Sequence, residues 1–560
     1  MAIPHFILVK IFDCILNISD HGVWIKHILK KLTLISKEVN QKVISKLTCK
    51  KQMAFEMSGY DKHLLNLLNR FDINYTVILT TGEDFQRVFP YPDKVTTFFT
   101  SKLNRKEIEM YKNLDTIQLS SQGSFDYSFE EVQQIGEGEN NYFDDFDIED
   151  YQQSHSSRNV KINIDISPNF IHDVKTYFNS ILSKPLNELR LNVPHYDLGK
   201  CEYSTFGTLK ELHLSFNHNT TEEGIIQLLN HQLHLEKLGC SQSSSIIIAK
   251  ALPKSSVYHQ LTVLKIEDDF VTLDLEDLVL ILNAPKLQVV TVSIGIFTVL
   301  ENWRDLKITN TTITDLNLSG EVSESFNFLS IWSDYRTLTR LSTSEYFLHL
   351  DNHKFNIDSE SNLEYLYFYS SLPEFLCTII NSTLKKLKEL EIVSNYQKFS
   401  FTPIFMSLGS NKYITSLTIH EIDIINVTYL LQHSETLERI SIQGLIQYKV
   451  YSFAQPIQEL LYFLSLSTTL QEFHVFQHLH IENISFESYI NSLFNVIEKN
   501  KVLKRLRFVC IPLDGFMSIP FDITRFENIL KDNRTIISLY IVDWLKEIHQ
   551  LLLKHDINQF

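Results

Sequence analysis

The stretch Leu209-Lys-Glu-Leu-His-Leu-Ser-Phe-Asn217 decides the fold, because it follows the pattern L-x-x-L-x-L-x-x-N. Leu212 and Leu214 are two residues apart, so a strand here buries both on one face and leaves the intervening residue on the other. Leu209 leads into this strand, and Asn217 stands where the chain turns away. The stretch therefore predicts a short strand with one buried face.

The same three-point apolar pattern recurs along the chain at a regular spacing. Its first members are 26 residues apart from Leu209 to Ile313, and 23 to 33 residues apart from there to Ile536. From Leu209 onward the triplets are Leu209/Leu212/Leu214, Leu235/Leu238/Cys240, Leu261/Leu264/Ile266, Leu287/Val290/Val292, Ile313/Leu316/Leu318, Leu338/Leu341/Thr343, Leu363/Leu366/Phe368, Leu387/Leu390/Ile392, Ile414/Leu417/Ile419, Leu437/Ile440/Ile442, Leu470/Phe473/Val475, Leu503/Leu506/Phe508 and Ile536/Leu539/Ile541. Such a register is typical of a repeat protein whose units bury their apolar faces against each other.

These units predict an α/β fold, a leucine-rich-repeat solenoid. We expect a horseshoe with parallel strands on its concave face and helices on its convex face. Between strands, Thr220–Leu229 begins with cap-type residues and has acids in its first turn, which favours a helix. An asparagine eight places after the first member occurs only at Asn217 and Asn395, so the units resemble the ribonuclease-inhibitor-like class.

Composition excludes several functional classes. The 560-residue chain carries a formal net charge of −16, so we expect neither nucleic acid nor a membrane as a partner. Six scattered cysteines without C-x-x-C spacing predict a reducing compartment, the cytoplasm or alternatively the nucleus, and no metal site. We find no apolar run of spanning length, no signal peptide and no nucleotide-binding or hydrolase motif, so we expect no cofactor and no enzyme activity.

Residues 1–47 do not fit the repeat. Apolar residues at steps of three and four predict three short helices, with Pro4 in the first turn. One interpretation is a helical cap over the first repeat. The other rests on Ile3-Pro4, Ile7-Leu8, Ile11-Phe12 and Leu32-x-x-Ile35-Ser-Lys37, which resemble the F-box motif, although Val39 stands where that motif usually has an aromatic residue.

An F-box followed by leucine-rich repeats is the architecture of the F-box/leucine-rich-repeat family. The resemblance implies that the N-terminal helices bind the Skp-type adaptor of a cullin–RING ubiquitin ligase, while the repeats hold a target protein. The implied adaptor contacts are Ile3, Pro4, Ile7, Leu8, Ile11 and Phe12. The alternative is a repeat scaffold without any ligase link. A regulator of small GTPases is a third interpretation, and it lacks a supporting motif.

The chain divides into five segments by these criteria. They are an F-box-like helical bundle (1–47), irregular first repeats (61–119), an acidic disordered loop (120–158), the leucine-rich-repeat solenoid (159–543) and a C-terminal capping helix (544–560). The acidic loop contains no lysine or arginine before Arg158, and its like charges disfavour a packed core. It is either a solvated spacer or, because aromatic residues interrupt the acids, a docking segment for a basic partner.

Side chains between the two buried positions of each strand should form a partner-binding face. Tyr365, Tyr367 and Tyr369 alternate with two apolar residues that match the buried positions, so the three tyrosines should point outward. We expect them to anchor a protein partner, since tyrosine is enriched among binding hot spots. Arg505 and Arg507 lie on the same face and are candidates to receive an acidic or phosphorylated segment.

Overall fold

The computed structural model describes the parts of the chain that carry the repeats. The described residues are 47, 53–56, 62–70, 73, 75–80, 91–100, 116–120, 161–165, 188–193, 209–216, 220–241, 244–299, 302–323, 326–348, 361–370, 373–382, 384–394, 401–445, 454–476, 479–481, 486–508, 510–512, 522–540, 550–552, 554–555 and 557. Apart from Leu47, the predicted F-box-like bundle lies outside these residues. So does the predicted acidic loop, apart from Ser120.

The chain forms two compact units, Met1–Asp268 and Asp269–Phe560. The strands that begin in the first unit pair in parallel, each with the next along the chain. They are β1 (Met53–Glu56), β2 (Val77–Thr80), β3 (Val95–Thr100), β4 (Thr116–Ser120), β5 (Lys161–Asp165), β6 (Glu188–Val193), β7 (Glu211–Phe216), β8 (Lys237–Ser241) and β9 (Val263–Asp274). The described helices of this unit are α1 (Lys62–Arg70), α2 (Glu222–Asn230) and α3 (Ser244–Ala251).

The second unit repeats the same arrangement. Its strands are β10 (Val289–Thr298), β11 (Asp315–Val322), β12 (Arg340–Ser344), β13 (Tyr365–Ser370), β14 (Glu389–Ser394), β15 (Ser416–Ile422), β16 (Arg439–Leu445), β17 (Glu472–Val475), β18 (Leu479–Ile481), β19 (Arg505–Arg507), β20 (Cys510–Pro512) and β21 (Ser538–Tyr540). Ten of them pair in parallel in chain order, and β18 pairs with β20 in a separate sheet.

Helices connect most strands of the second unit. They are α4 (Leu275–Leu282), α5 (Pro373–Asn381), α6 (Thr402–Ser410), α7 (Ile424–His433), α8 (Ala454–Leu466), α9 (Phe486–Lys499) and α10 (Ile523–Asp532). Between β10 and β13 the described connections are short 3₁₀ turns instead, one of them at Trp303–Asp305. The fold is therefore α/β, built on a parallel sheet with helices, and it is compatible with a repeat solenoid.

The predicted repeat register is confirmed within each unit. Leu238 pairs with Leu212 on one side and with Leu264 on the other. In the second unit, Leu366 likewise lies between Leu341 and its counterpart in β14. Every described member of the thirteen triplets is at most 4% exposed. Within each compact unit, apolar burial in two columns thus holds neighbouring repeats together, as hydrophobic burial does in repeat proteins.

Helix α2 shows why the connecting segments are helical. Thr221 caps it by accepting a hydrogen bond from the backbone N–H of Gly224 at 3.2 Å. Ile225, Leu228 and Leu229 share one helix face at the spacing expected for burial, and all three are fully buried. One helix thus contributes a cap at its start and an apolar face toward the core.

The segment 120–158 lies in the sequence between two strands that are neighbours in the sheet. β4 ends at Ser120 and β5 begins at Lys161, and the two strands pair directly, with Ser120 opposite Asp165. An insertion at this point leaves the pairing on both sides in register. In the C-terminal segment 544–560, Leu551 and Leu552 are helical and buried.

An asparagine precedes several strands, three places before the first member of the triplet. It is buried at Asn310, Asn500 and Asn533 and half-buried at Asn411. At Asn500, Oδ1 accepts from the backbone N–H groups of Val502 at 2.9 Å and Leu503 at 2.8 Å. Its Nδ2 donates to the carbonyl oxygens of Leu464 at 2.8 Å and Ser467 at 3.1 Å. The Asn500 side chain therefore ties the start of one repeat to the end of α8 and the turn after it, in the preceding repeat.

Asn500→Ala should lower the free energy of unfolding by about 2–3 kcal/mol, since buried backbone groups that lose their partners are costly. Asn500 is 1% exposed, so water does not replace the four hydrogen bonds. Urea denaturation measures the loss. Asn528→Ala is the matched control, because Asn528 is exposed on α10, and it should change stability by less than about 0.5 kcal/mol. Equal effects of the two substitutions would contradict the structural role of Asn500.

Two further features concern the described part of the chain. No helix in it combines the length and the apolarity that crossing a membrane requires. It also contains no group of three or more His, Cys, Asp or Glu side chains arranged to hold a metal ion.

Candidate functional site

The strands of the second unit present an aligned row of side chains, which we call the outer row. Each member stands between the two buried positions of its strand, and register pairing brings it beside its counterpart on the next strand, about 4.8 Å away. The row consists of Thr291, Asn317, Ser342, Tyr367, Glu391, Thr418, Ser441, His474, Arg507 and Tyr540. It offers a continuous surface of mixed polar, charged and aromatic groups.

The structure places the three predicted tyrosines on the same side of β13. Leu366 and Phe368 are fully buried, whereas Tyr365 and Tyr367 are half-buried and Tyr369 is 36% exposed. This difference follows from the strand period of two. The tyrosines therefore lie on the outward face, where Tyr367 is a member of the outer row and Tyr365 and Tyr369 flank it on the same strand.

Tyr365 is held in place by its neighbours. Its hydroxyl donates to Oε2 of Glu391 at 2.7 Å, and the guanidinium of Arg340 lies 4.1 Å from its ring centroid. Nε2 of His420 donates to Oε1 of the same glutamate at 2.7 Å. Burial and the hydrogen bond to Glu391 raise the pKa of Tyr365. Tyr365 is thus part of a fixed polar network that the sequence did not reveal.

Tyr367 and Tyr369 present the aromatic surface of this strand. The ring of Tyr367 meets the ring of His420 edge-on, with 6.0 Å between centroids. Burial, then the charge of Glu391, raise the pKa of Tyr367, so its hydroxyl stays neutral and able to donate. A neutral, oriented phenol beside an exposed one is suited to contact a protein partner.

The two predicted arginines lie in a separate cluster. Glu472 accepts from Arg439 and from Arg505, at 3.0 Å in each case. Arg507 lies over the ring of Tyr540, 5.2 Å from its centroid, and its buried Nε has no hydrogen-bond partner in the described part of the chain. Burial lowers the pKa of His474, and the three arginines lower it further. The cluster carries more positive than negative charge.

The structure does not bring the arginines to the tyrosines. β13 and β19 are five pairing steps apart, which corresponds to roughly 24 Å at the usual strand spacing. They form separate candidate subsites on one face.

Sequence reasoning missed a cleft next to the tyrosine strand. It has a volume of about 640 Å³, and its walls include Phe270, Ile296, Tyr346, Tyr367 and Tyr369. It forms where β9, β10 and β11 continue past the three-point pattern to lengths of 12, 10 and 8 residues. The apolar run in β10 that follows its triplet was the available signal for this extension.

Comparisons with known proteins place the chain in no family. No family model matches it, and no curated protein matches its sequence. Among solved structures, a crystal structure of the Rad7 and Elc1 complex in yeast aligns with 80% of this chain and 96% of that chain. The identity is 14% and the TM-score is 0.28, values at which the likeness carries no argument about fold or function.

Proposed function

We propose that this chain is a protein-interaction protein, the substrate receptor of a cullin–RING ubiquitin ligase of the F-box type. In this proposal the segment 1–47 binds the Skp-type adaptor, and the leucine-rich-repeat solenoid holds a target protein. The observation that supports it is the outer row, in which ten register-aligned side chains form one surface and the exposed ring of Tyr369 lies on the same strand as the row member Tyr367. The chain performs no bond chemistry and contributes proximity between a bound target and the conjugating machinery.

The fixed geometry around Tyr365 supports a binding role. A side chain that is already held by Glu391 and Arg340 loses little conformational freedom when a partner binds. The neighbouring Tyr367 is held on one side by His420. Preorganised aromatic groups of this kind are typical anchors of protein interfaces.

The second candidate is a repeat scaffold that uses the same face and has no ligase link. The two candidates differ only in the role of the N-terminal segment, through Ile3–Leu16 and Leu32–Lys37. Cysteine usage supports the cytoplasm, or the nucleus, as the compartment for either one.

Pro4→Ala combined with Leu8→Asp should abolish co-purification of the Skp-type adaptor. The aspartate places a charge at an apolar contact, where an unpaired charge is costly. Far-UV circular dichroism of the variant should match that of the wild type. Lys10→Ala is the control, since Lys10 is not among the implied contacts, and it should capture the adaptor normally.

Failure of the wild-type chain to capture the adaptor would exclude the receptor role and leave the scaffold. Equal capture by the wild type and the double variant would exclude the assigned contact residues.

A further inference from the structure

The cleft beside the tyrosine strand is built on a bulge between β10 and β11. Ser293 pairs with Ser319, but the next pair is Ile296 with Glu321, so two residues of β10 stand opposite Gly320 alone. A bulge of this kind bends the strand and turns nearby side chains in new directions. The bulge follows the regular pairing of Thr291 with Asn317 in the outer row, and the cleft lies beside it.

Two glycines form the floor of the cleft. Gly320 has a φ of +141°, a backbone conformation that favours glycine. A Cβ atom at Gly295 would lie 2.5 Å from the carbonyl oxygen of Asp269. The backbone at these positions therefore leaves no room for side chains, and the floor of the cleft stays open.

Large apolar side chains form the walls. Phe270 is 98% exposed, Ile296 43%, Tyr346 37% and Tyr369 36%. Protein surfaces that gather exposed apolar groups around one cavity commonly mark binding sites. Three of the four, Phe270, Tyr346 and Tyr369, are aromatic and offer ring faces to a bound group.

The charge of the cleft is negative. Asp269 and Glu321 are exposed and line it, and no lysine or arginine is among the described residues that do. Burial raises the pKa of Tyr346, and so do the nearby Glu345, Tyr369 and Glu321. A partner with negative charge is disfavoured here, and a positive one is attracted.

Two residues that line the cleft carry hydroxyl groups without a hydrogen-bond partner among the described residues. Oγ1 of Thr343 and Oγ of Ser344 are buried and unpaired in the described part of the chain, and both residues line the cavity. Thr343 is 2% exposed and Ser344 is 5% exposed. Both hydroxyl oxygens are enclosed by surrounding protein atoms, so a ligand in the cleft reaches them only if the lining residues move.

We propose that this cleft binds a lysine or arginine side chain carried by an extended segment of a partner protein. Carboxylates and aromatic faces together attract an ammonium or guanidinium group, while its methylene stem packs on the apolar walls. The volume of about 640 Å³ admits the basic side chain together with neighbouring residues of the segment. The proposal deepens the function given above and rests on it, because it names the chemistry of the bound target.

The test uses degenerate, fluorescein-labelled decapeptide pools whose central residue is fixed as Lys, Arg, Gln or Glu. Fluorescence anisotropy with the purified full chain measures their binding. We expect the Lys and Arg pools to bind at least tenfold more tightly than the Gln pool, and the Glu pool to bind most weakly. The advantage should shrink as salt is raised, because salt screens exposed charges. Equal affinity of all four pools would overturn the proposal.

Substitutions assign the preference to the cleft. Asp269→Asn with Glu321→Gln should reduce the advantage of the Lys and Arg pools to twofold or less. Both carboxylates are exposed, so the melting temperature should not change. Glu421→Gln removes an exposed carboxylate at the end of β15, outside the cleft, and should keep the full preference. A preference that survives the double substitution would overturn the assignment.

This experiment is independent of the adaptor. Selection of basic peptides by a chain that never captures the adaptor would exclude the ligase role and keep the cleft as a binding site. Capture of the adaptor without any selection among the pools would overturn the cleft proposal alone.

Discussion

Leu264→Asp should unfold the first unit of the chain. Leu264 is fully buried in β9 and pairs with Leu238 of β8. Removing a core leucine costs about 2–5 kcal/mol, and the aspartate adds the cost of burying an unpaired charge. Together they exceed about 5 kcal/mol, which equals the whole stability of many domains. Leu264→Ala, without the charge, should cost only the first amount.

The matched control for this substitution is Lys265→Asp. Lys265 is the next residue and is exposed, with an ion pair to Glu267 at 3.0 Å. Losing an exposed pair costs at most about 1 kcal/mol. Because a slip of one residue exchanges the two faces of a strand, a thermal melt in which Lys265→Asp is the more damaging change would show that the register is wrong.

The buried columns were predictable from the sequence because two periods coincide. Within a repeat, Leu212 and Leu214 alternate with outward residues, and the repeat recurs at a regular spacing. One strand register therefore buries the apolar residues of every repeat, and the pairing of Leu238 with Leu212 and Leu264 follows from it. Even Thr343, a polar residue in an apolar column, is placed correctly and is 2% exposed.

The asparagines before the strands were not predictable in the same way. The pattern L-x-x-L-x-L-x-x-N places asparagine after the triplet, where Asn217 stands, whereas the structural asparagines precede the triplet. The hydrogen-bond partners of Asn500 include Leu464 and Ser467, which belong to the preceding repeat. Asparagine stands at this place in only four of the thirteen repeats, so its periodic signal is weak, and its partners more than thirty residues away are not apparent from the sequence.

The candidate site was predictable only in part. Strand alternation places Tyr365, Tyr367 and Tyr369 on one side without knowledge of other strands. The contacts of Tyr365 with Glu391 need the alignment of β13 with β14, and the cleft needs the bulge opposite Gly320. Both are long-range features that no local pattern of residues reports.

Tyr367→Ala combined with Tyr369→Ala should weaken partner binding by about 3 kcal/mol, or more than a hundredfold in Kd, if two hot spots act at one interface. Tyr369 is 36% exposed and Tyr367 is half-buried, while Leu366 and Phe368 hold the strand from its other side. The melting temperature should therefore change little.

The direct measurement is the affinity of the purified chain for the protein that proximity labelling recovers with the wild type. Tyr413→Ala is the control, because Tyr413 is 38% exposed and lies in the loop before β15, away from the outer row. We predict a Kd more than a hundredfold weaker for the double variant and an unchanged Kd for the control. An unchanged Kd for the double variant would contradict the assignment of this face as the partner-binding surface.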